Sequence, residues 1–515
     1  MSHVRSVVQT PAEEHSLRAR RLGVDTQYEA VVFMRKDCAI CRSEGFAAHN
    51  RLLLRAGERH IIATLYQITN DLVAHDEAAL SESAWNRLDL KDGDTIAISH
   101  PDPLESFSHV RSRIYGNGLS GSALTAIISD VADGQYSDIH VSSFITACAA
   151  RPLDHGEVLA LTRAMVDAGE RLSWNADIVL DKHSVGGLPG NRTTPIIVPI
   201  IAALGLWMPK TSSRAITSPA GTADTMETMA PVELATADIH RVVEKEGGCI
   251  VWGGAVKLSP ADDILIRVER ALDLDSEGQM IASVLSKKIA AGSTHLILDI
   301  PVGPTAKVRS QQAAEALSAG LMAIADAFGI KAKVIAGDGT QPIGRGIGPA
   351  LEANDVLAVL QCAPTAPRDL RDRAVALAGA LIELGGLAQQ GAGATMAAQT
   401  LDDGRAWTKF QQICEAQGGM RIPPKSSYRH PLAARHAGHV NAIDNRRIAK
   451  LAKLAGAPEA KAAGVELHVK LGDAVPAGQP LCTVHADAPG ELAYALAYAA
   501  ANPDMIMVRD EGEQR

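Results

Sequence analysis

The chain has 515 residues, 46% of them hydrophobic and 21% charged, with a formal net charge of −9 at pH 7. Such a length exceeds a single hydrophobic core and predicts about three or four domains of roughly 100 to 200 residues each. The composition is that of an ordinary globular protein, and the acidic balance argues against a nucleic-acid partner, which needs a net basic face.

In chain order, residues 1–21 lack an apolar signal core and are expected to be a flexible tail on a cytoplasmic protein. Residues 22–105 hold short β-like runs (YEAVVFM, RHIIATLYQI, DTIAIS) separated by turn signals such as LKDGD, and predict a β-rich domain. Cys38 and Cys41 form a CxxC there, but His49 alone does not complete a zinc site, so no metal is expected. Seven thinly spread cysteines fit a reducing compartment rather than a disulfide framework. Helical spacing over 119–132, 142–150 and 155–168 makes 106–175 a helical domain. From Ile178, apolar strands (IVL, MPKTSS, THLILDIP, AKVIAGDG) alternate with helices. The run Ile196 to Met208 is too short to cross a bilayer and reads as a buried helix, so no membrane partner is expected. This alternation predicts an α/β domain over 176–425, its sheet mixed but mostly parallel, with ligands at the strand carboxyl ends. Further helices are read over 350–360, 370–384 and 400–416, followed by a C-terminal α+β lobe over 426–505 with one helix near Arg446 to Leu454. The fold class expected is thus multidomain α/β, with an N-terminal β-rich domain, a helical lobe, a large α/β lobe and a C-terminal α+β lobe.

Two loops carry the chemistry. DKHSVGGLPGNRTT follows a strand and offers the Lys182 ammonium, the Ser184 and Thr193 hydroxyls, and glycines that let a backbone approach an anion. It lacks the order of a Walker loop, and alone it reads equally as a tight strand-to-helix turn. The second loop, MPKTSSRAITSPAGTADTME, crowds Ser212, Ser213, Arg214, Thr217, Ser218 and Thr222 around Gly221, more donors than a turn needs. Arg214 offers a planar fork for phosphate or sugar hydroxyls. Asp224 and Glu227 fall in the first turns of the next helix, where capping is the plain alternative.

These two segments resemble signatures of the thymidine and pyrimidine-nucleoside phosphorylases, especially their longer relatives, which include AMP phosphorylase. WGGAVKLSPADD, ASVLSKKIAAGSTHLILDIPVGPTAKV and EAQGG follow in the family's order, and the similarity covers about residues 106–505. The resemblance implies a helical lobe completed by about 260–292, a cleft closed by hinge motion, and a homodimer. It places phosphate contacts on Lys182, Ser184, Thr193, Ser212 and Thr222. It places substrate contacts on Gly187, Ser213, Arg214, Ala215, Ile216, Thr217, Ser218, Ser283 and Lys307. Asp275, His183 and Lys287 become the candidates for assisting the leaving base. On their own terms Asp275 reads equally as a turn or cap residue, His183 as a packed side chain, and Lys287 as half of a solvated pair with Lys288. The family's YxxRD segment is replaced here by IRVER, which leaves Arg267 or Arg270 as possible substitutes.

The implied activity is pentosyl transfer without a cofactor, inorganic phosphate being the co-substrate. Phosphate attacks C1 of the sugar while the bond to the base breaks, which for thymidine gives thymine and 2-deoxy-α-D-ribose 1-phosphate. Three alternatives stay open: AMP phosphorolysis, with Arg214 on the 5′-phosphate; a phosphoribosyltransferase, against which stands the absence of a GTGGD-type loop; and an inactive binding protein.

Overall fold

The computed structural model describes residues 15–215, 218–274 and 276–509. They divide into two compact units, one within residues 1–111 with 130–140, the other within 112–129 with 141–515.

The first unit contains a closed six-stranded barrel. Its strands are β1 (His15–Arg21), β2 (Val31–Arg35), β3 (Arg51–Ala56), β4 (Arg59–Ile68), β5 (Glu77–Leu80) and β6 (Thr95–Ser99), in the order β1-β5-β2-β4-β3-β6. Closure leaves no edge strand. Alternate residues fill the barrel, Leu52 and Leu54 from β3 and Ile96 and Ile98 from β6, as the two-residue strand period requires. Residues 1–14 lie outside the described residues, and the expected tail is corrected over residues 15–21, because β1 pairs with both β5 and β6. Its arginines disguised it: Leu17 and Ala19 point inward, while Arg18 pairs with Asp76 and Arg20 with Glu77 on the outer face. Cys38 caps the helix Ala39–Ser43 through Sγ, accepting from the Cys41 amide at 3.3 Å.

In the second unit, β7 (Leu180–Ser184), β8 (Met208–Ser212), β9 (Gly248–Trp252), β10 (His295–Val302) and β11 (Lys331–Asp338) run parallel. The order is β11-β10-β7 and β8-β9, with Val179 and Trp207 bridging the two groups in parallel. Strand β10 is buried on both faces, as parallel strands covered by helices are. Ile297 packs with helices Thr194–Ala203 and Arg368–Leu384. Leu296, Leu298 and Ile300 pack on the other side with Ile281, Leu285, Leu317 and Leu321. The apolar run beginning at Ile196 is indeed a buried helix, Thr194–Ala203. The single helix expected over 400–416 is two, Gly393–Asp402 and Arg405–Ala416, because Gly404 takes φ +82° between them.

The C-terminal lobe has two small sheets and two helices, Asn445–Leu454 and Pro489–Ala501. The second went unread because its alanine-rich face gives little apolar contrast. The two-residue strand Gly346–Ile347, from the α/β lobe, pairs with Gly464–Leu467 and ties the two lobes together.

Helix His155–Asp167 packs along helix Glu277–Ala290 and starts with a capping box between Asp154 and Glu157. Glu157 also accepts from the Leu119 amide at 2.7 Å and from buried Arg113 at 2.9 Å. Arg113 in turn donates to the carbonyls of Arg151 and Pro152. Arg113→Ala strands a buried carboxylate and two carbonyls, so a loss of about 3–5 kcal/mol is expected, read as a lowered denaturant midpoint.

Candidate functional site

Strands β7, β8 and β10 end on the same side of the sheet, and the expected anion-binding residues lie at the ends of β7 (Lys182, Ser184) and β8 (Ser212) and at the starts of the helices that follow them (Thr193, Thr222). Lys182, at 2% exposure, donates to Thr193 Oγ1 at 2.8 Å and to Ser184 Oγ. Ser184 donates to Asp299 Oδ2 at 2.6 Å, and Asn191 donates to the same oxygen at 3.2 Å. Arg373 closes the group through Asp299 Oδ1 at 2.6 Å. The neighbouring Arg192 donates to Thr222 Oγ1 at 2.8 Å and to the Ala220 carbonyl at 2.8 Å, and is paired with buried Glu352 at 2.5 Å. Arg192 thereby joins the two loops. Ser212, at the end of β8, has a buried Oγ without a hydrogen-bond partner among the described residues, a hydroxyl suited to a ligand oxygen.

Glycine is obligatory at two points. Gly190 takes φ +72°, and a Cβ there would lie 2.0 Å from the Ile343 carbonyl oxygen. At Gly221 a Cβ would lie 2.5 Å from the Arg214 carbonyl carbon, because the second loop folds back over it. Asp224 fixes that fold by accepting from the Ala215 amide at 2.7 Å and the Gly221 amide at 2.9 Å.

The electrostatics are dominated by buried lysines. Burial brings the Lys182 ammonium down to about 8; Asp299 opposes this, and Arg373 and Arg192 add repulsion. Beneath it, burial works against ionisation of Asp181, but Lys210 and Lys288, each 2.8 Å away, outweigh burial and hold the carboxyl low. Burial and the ammoniums of Lys288, Lys210 and Lys287 keep the His183 imidazole well below its ordinary value, so it is neutral. Burial opposes the charge on Lys287 as well, yet Asp262 overrides it and raises the ammonium.

A second cluster lies on helix Glu277–Ala290. Ser283 donates to Asp262 Oδ2 at 3.0 Å, and Lys287, one turn further on, forms an ion pair with the same oxygen. The Asp262 side chain is 1% exposed, whereas that of Lys287 is 23% exposed.

Lys182, Ser184 and Thr193 therefore form one network, Thr222 joins it through Arg192, and Ser283 and Lys287 form another. Lys307 packs over Gly186, and Gly187 stands in the first loop at φ +57°. Ser213 is exposed and Ser218 half-buried, its hydroxyl donating to Ala220 O. Ile216, Thr217 and Asp275 lie outside the described residues. Arg214, expected as a ligand fork, is engaged by partners within the protein. Its guanidinium donates to Glu227 twice at 2.9 Å, to Glu233 at 2.8 Å and to Asp224 at 3.2 Å, and it stacks 4.9 Å over Trp252. Asp224 and Glu227 act on Arg214 and on the loop, beyond helix capping. The residues that sequence reasoning missed are Asp299, Arg373, Arg192, Asn191, Asp181 and Asp262. A lone acid inside an apolar strand, as in THLILDIP or IVLDK, was the available signal, since a buried charge requires partners.

Among the described residues, no group of three or more His, Cys, Asp or Glu side chains could hold a metal ion, and no helix is long and apolar enough to cross a membrane.

Three family models match the chain in order: the helical bundle domain of the glycosyl transferase family at 109–169, its a/b domain at 176–407, and the pyrimidine nucleoside phosphorylase C-terminal domain at 439–504. A protein of Sphingopyxis alaskensis named "Putative thymidine phosphorylase" is 61% identical over 505 residues, 97% of this chain and 98% of that one. A Chelativorans protein of the same name is 60% identical over 497 residues, 96% of this chain and 98% of its own. Among solved structures, anthranilate phosphoribosyltransferase from Thermus thermophilus matches with a TM-score of 0.50 at 20% identity, over 60% of this chain and 99% of that one, a likeness of fold.

Lys182 is cationic below about 8 and neutral above it. Affinity for inorganic phosphate, followed by calorimetry across a pH series and expressed per dianion, is therefore expected to fall as pH rises through about 8. Lys182→Arg, which stays charged, should abolish that inflection.

Proposed function

The chain belongs to the thymidine and pyrimidine-nucleoside phosphorylase family of glycosyl transferases, and we propose that it performs phosphorolysis of a pyrimidine nucleoside, thymidine with phosphate giving thymine and 2-deoxy-α-D-ribose 1-phosphate. The observation that carries this reading is the buried network of Lys182, Ser184 and Thr193 at the strand carboxyl ends, joined to Thr222 through Arg192. Lys182, Arg192 and Arg373 stand there against the carboxylates of Asp299 and Glu352, leaving a surplus positive charge for a phosphate dianion.

In the reaction an oxygen of the hydrogen phosphate dianion forms a bond to C1 as the C1–N1 bond breaks, the electron pair passes into the base, and the proton that the esterified phosphate gives up ends on N1. Holding the phosphate in line supplies the entropic part of the rate enhancement. Negative charge spreads to the base carbonyls, where the Lys287 ammonium stabilises it. Because Asp262 keeps Lys287 charged, its part is electrostatic rather than proton donation. Neutral His183 can offer an N–H hydrogen bond but no cation. For a nucleoside monophosphate a further cation would have to meet the 5′-phosphate, and Arg214, the residue that suggested such a substrate, is occupied by three acidic side chains.

The test is release of free base from thymidine, uridine, cytidine, AMP, CMP and UMP, with and without phosphate. Phosphate-dependent thymine release is expected, reduced about 10²–10³-fold in Lys182→Ala through loss of a preorganised charge. Release confined to the monophosphates would replace thymidine by a nucleotide substrate, and no phosphate-dependent release from any of them would overturn phosphorolysis.

A further inference from the structure

Between Glu415 and Asp444 the chain carries Arg421, Lys425, Arg429 and Arg435 and no acidic residue, although the whole has a net charge of −9. Part of this basic stretch lines a cavity of about 360 Å³ in the second unit, a size ordinary for a small-molecule site. One wall is an antiparallel sheet with the strand order Gly346–Ile347, Gly464–Leu467, Pro480–Ala486, Tyr428–Ala433. Its register sets Arg429 opposite His485, His485 opposite Gly464, and Glu466 opposite Gly346. Residues opposite each other or two apart share a face, so Arg429, His485 and Glu466 stand together. The other wall is helix Pro349–Leu360, which brings Asn354 and Asp355. Glu352 of the same helix turns to Arg192 instead, and no residue of the Lys182 network lines the cavity.

The charges here are not matched. Asp355 is tied down: its Oδ2 accepts from the amides of Arg345 at 2.6 Å and Gly346 at 2.7 Å, and Arg345 Nη2 stands 3.7 Å from its Oδ1. Arg345 Nε is buried with no hydrogen-bond partner among the described residues. Lys425 and Arg429 are exposed and have no ion-pair partner among the described residues. Three cations thus face two carboxylates. The second carboxylate, Glu466, has a side chain 40% exposed, and buried His485 approaches it only to 3.6 Å while holding Ser426 Oγ at 3.0 Å through its other nitrogen. The Glu466 oxygens therefore keep lone pairs open to a ligand.

We propose that this cavity is a binding site for a sugar phosphate, its phosphate held by Arg345, Lys425 and Arg429 and its hydroxyls by Glu466 and Asn354. The surplus of positive charge selects an anion, and guanidinium forks suit the oxygens of a phosphate monoester. Inorganic phosphate alone would have Glu466 beside it as a repelling charge. Hydroxyl groups turn the same carboxylate into an acceptor, and the Asn354 amide offers both a donor and an acceptor. The site is distinct from that of phosphorolysis and does not rest on that reading.

The experiment counts ribose 5-phosphate bound per chain by equilibrium dialysis, with inorganic phosphate and ribose as comparison probes. Lys182→Ala is expected to keep one ribose 5-phosphate site, to bind inorganic phosphate there more weakly, and not to bind ribose. Lys425→Ala/Arg429→Ala should weaken that site about tenfold or more, through loss of two charged hydrogen-bond donors. Both residues are exposed, so the fold is expected to survive, and the charge-conserving Lys425→Arg/Arg429→Lys should retain binding. Should Lys182→Ala fail to fold, the double alanine variant of the otherwise unaltered chain is expected to lose one equivalent of ribose 5-phosphate and no more. Glu466→Ala should weaken ribose 5-phosphate about tenfold and leave inorganic phosphate bound no more weakly than before. Binding that persists unchanged in Lys425→Ala/Arg429→Ala, or that disappears in a folded Lys182→Ala, overturns the site. Inorganic phosphate binding as tightly as ribose 5-phosphate overturns the sugar phosphate as its ligand.

Discussion

The arrangement of the anion site depends on one buried carboxylate. Asp299 lies in an apolar strand, covered on both faces by helices, and an isolated charge there would be strongly disfavoured. It is tolerated because Lys182, Arg373, Ser184 and Asn191 converge on its two oxygens. These partners come from β7, from the loop after it and from helix Arg368–Leu384, so satisfying Asp299 brings three separate parts of the domain into register. The loop is consequently held with its lysine and hydroxyls already in place, which is the preorganisation an anion site needs.

The same constraint explains which parts of the site are legible in the sequence. Lys182, Ser184 and Thr193 fall within one short stretch, the end of β7 and the loop after it, whose composition suits an anion as well as it suits a tight turn. Asp299 and Arg373 are separated from that loop by long stretches of chain, and only the parallel pairing of β7 with β10, which sets Ser184 opposite Asp299, brings them together. Arg214 shows the opposite failure. Its fork is plain in the sequence, but Glu233 and the stacking surface of Trp252 belong to other elements, and they decide where the guanidinium goes. Strand β1 is a third case: alternating arginines make a barrel strand look like a solvated tail until its partners Asp76 and Glu77 are in view. Fold class is more legible than site chemistry because apolar periodicity is local, whereas pairing among buried charges is not.

Buried lysine appears in this domain in two roles, separated by how fully its carboxylate partner compensates it. Lys210 and Lys288 are both spent on Asp181, and burial together with their field holds His183 neutral. Lys182 shares Asp299 with Arg373, so its own charge is only partly compensated, and burial leaves it close to losing its proton. On the proposed reading, an arriving phosphate would supply the missing negative charge. Binding and the protonation of Lys182 are therefore linked, and an anion raises the pKa that burial has lowered.

The cluster on helix Glu277–Ala290, which the proposed reading gives to the base, is built on a different principle. Asp262 does not share Lys287 with a second cation, so the ammonium is raised rather than lowered and keeps its proton. The Lys182 network thus holds a lysine whose charge is only partly compensated, and the Asp262 cluster one whose charge is fixed. That division matches the demands of phosphorolysis. The nucleophile is a dianion that must be gathered and then consumed. The leaving base acquires charge only in the transition state and is best met by a donor that is already in place and does not titrate.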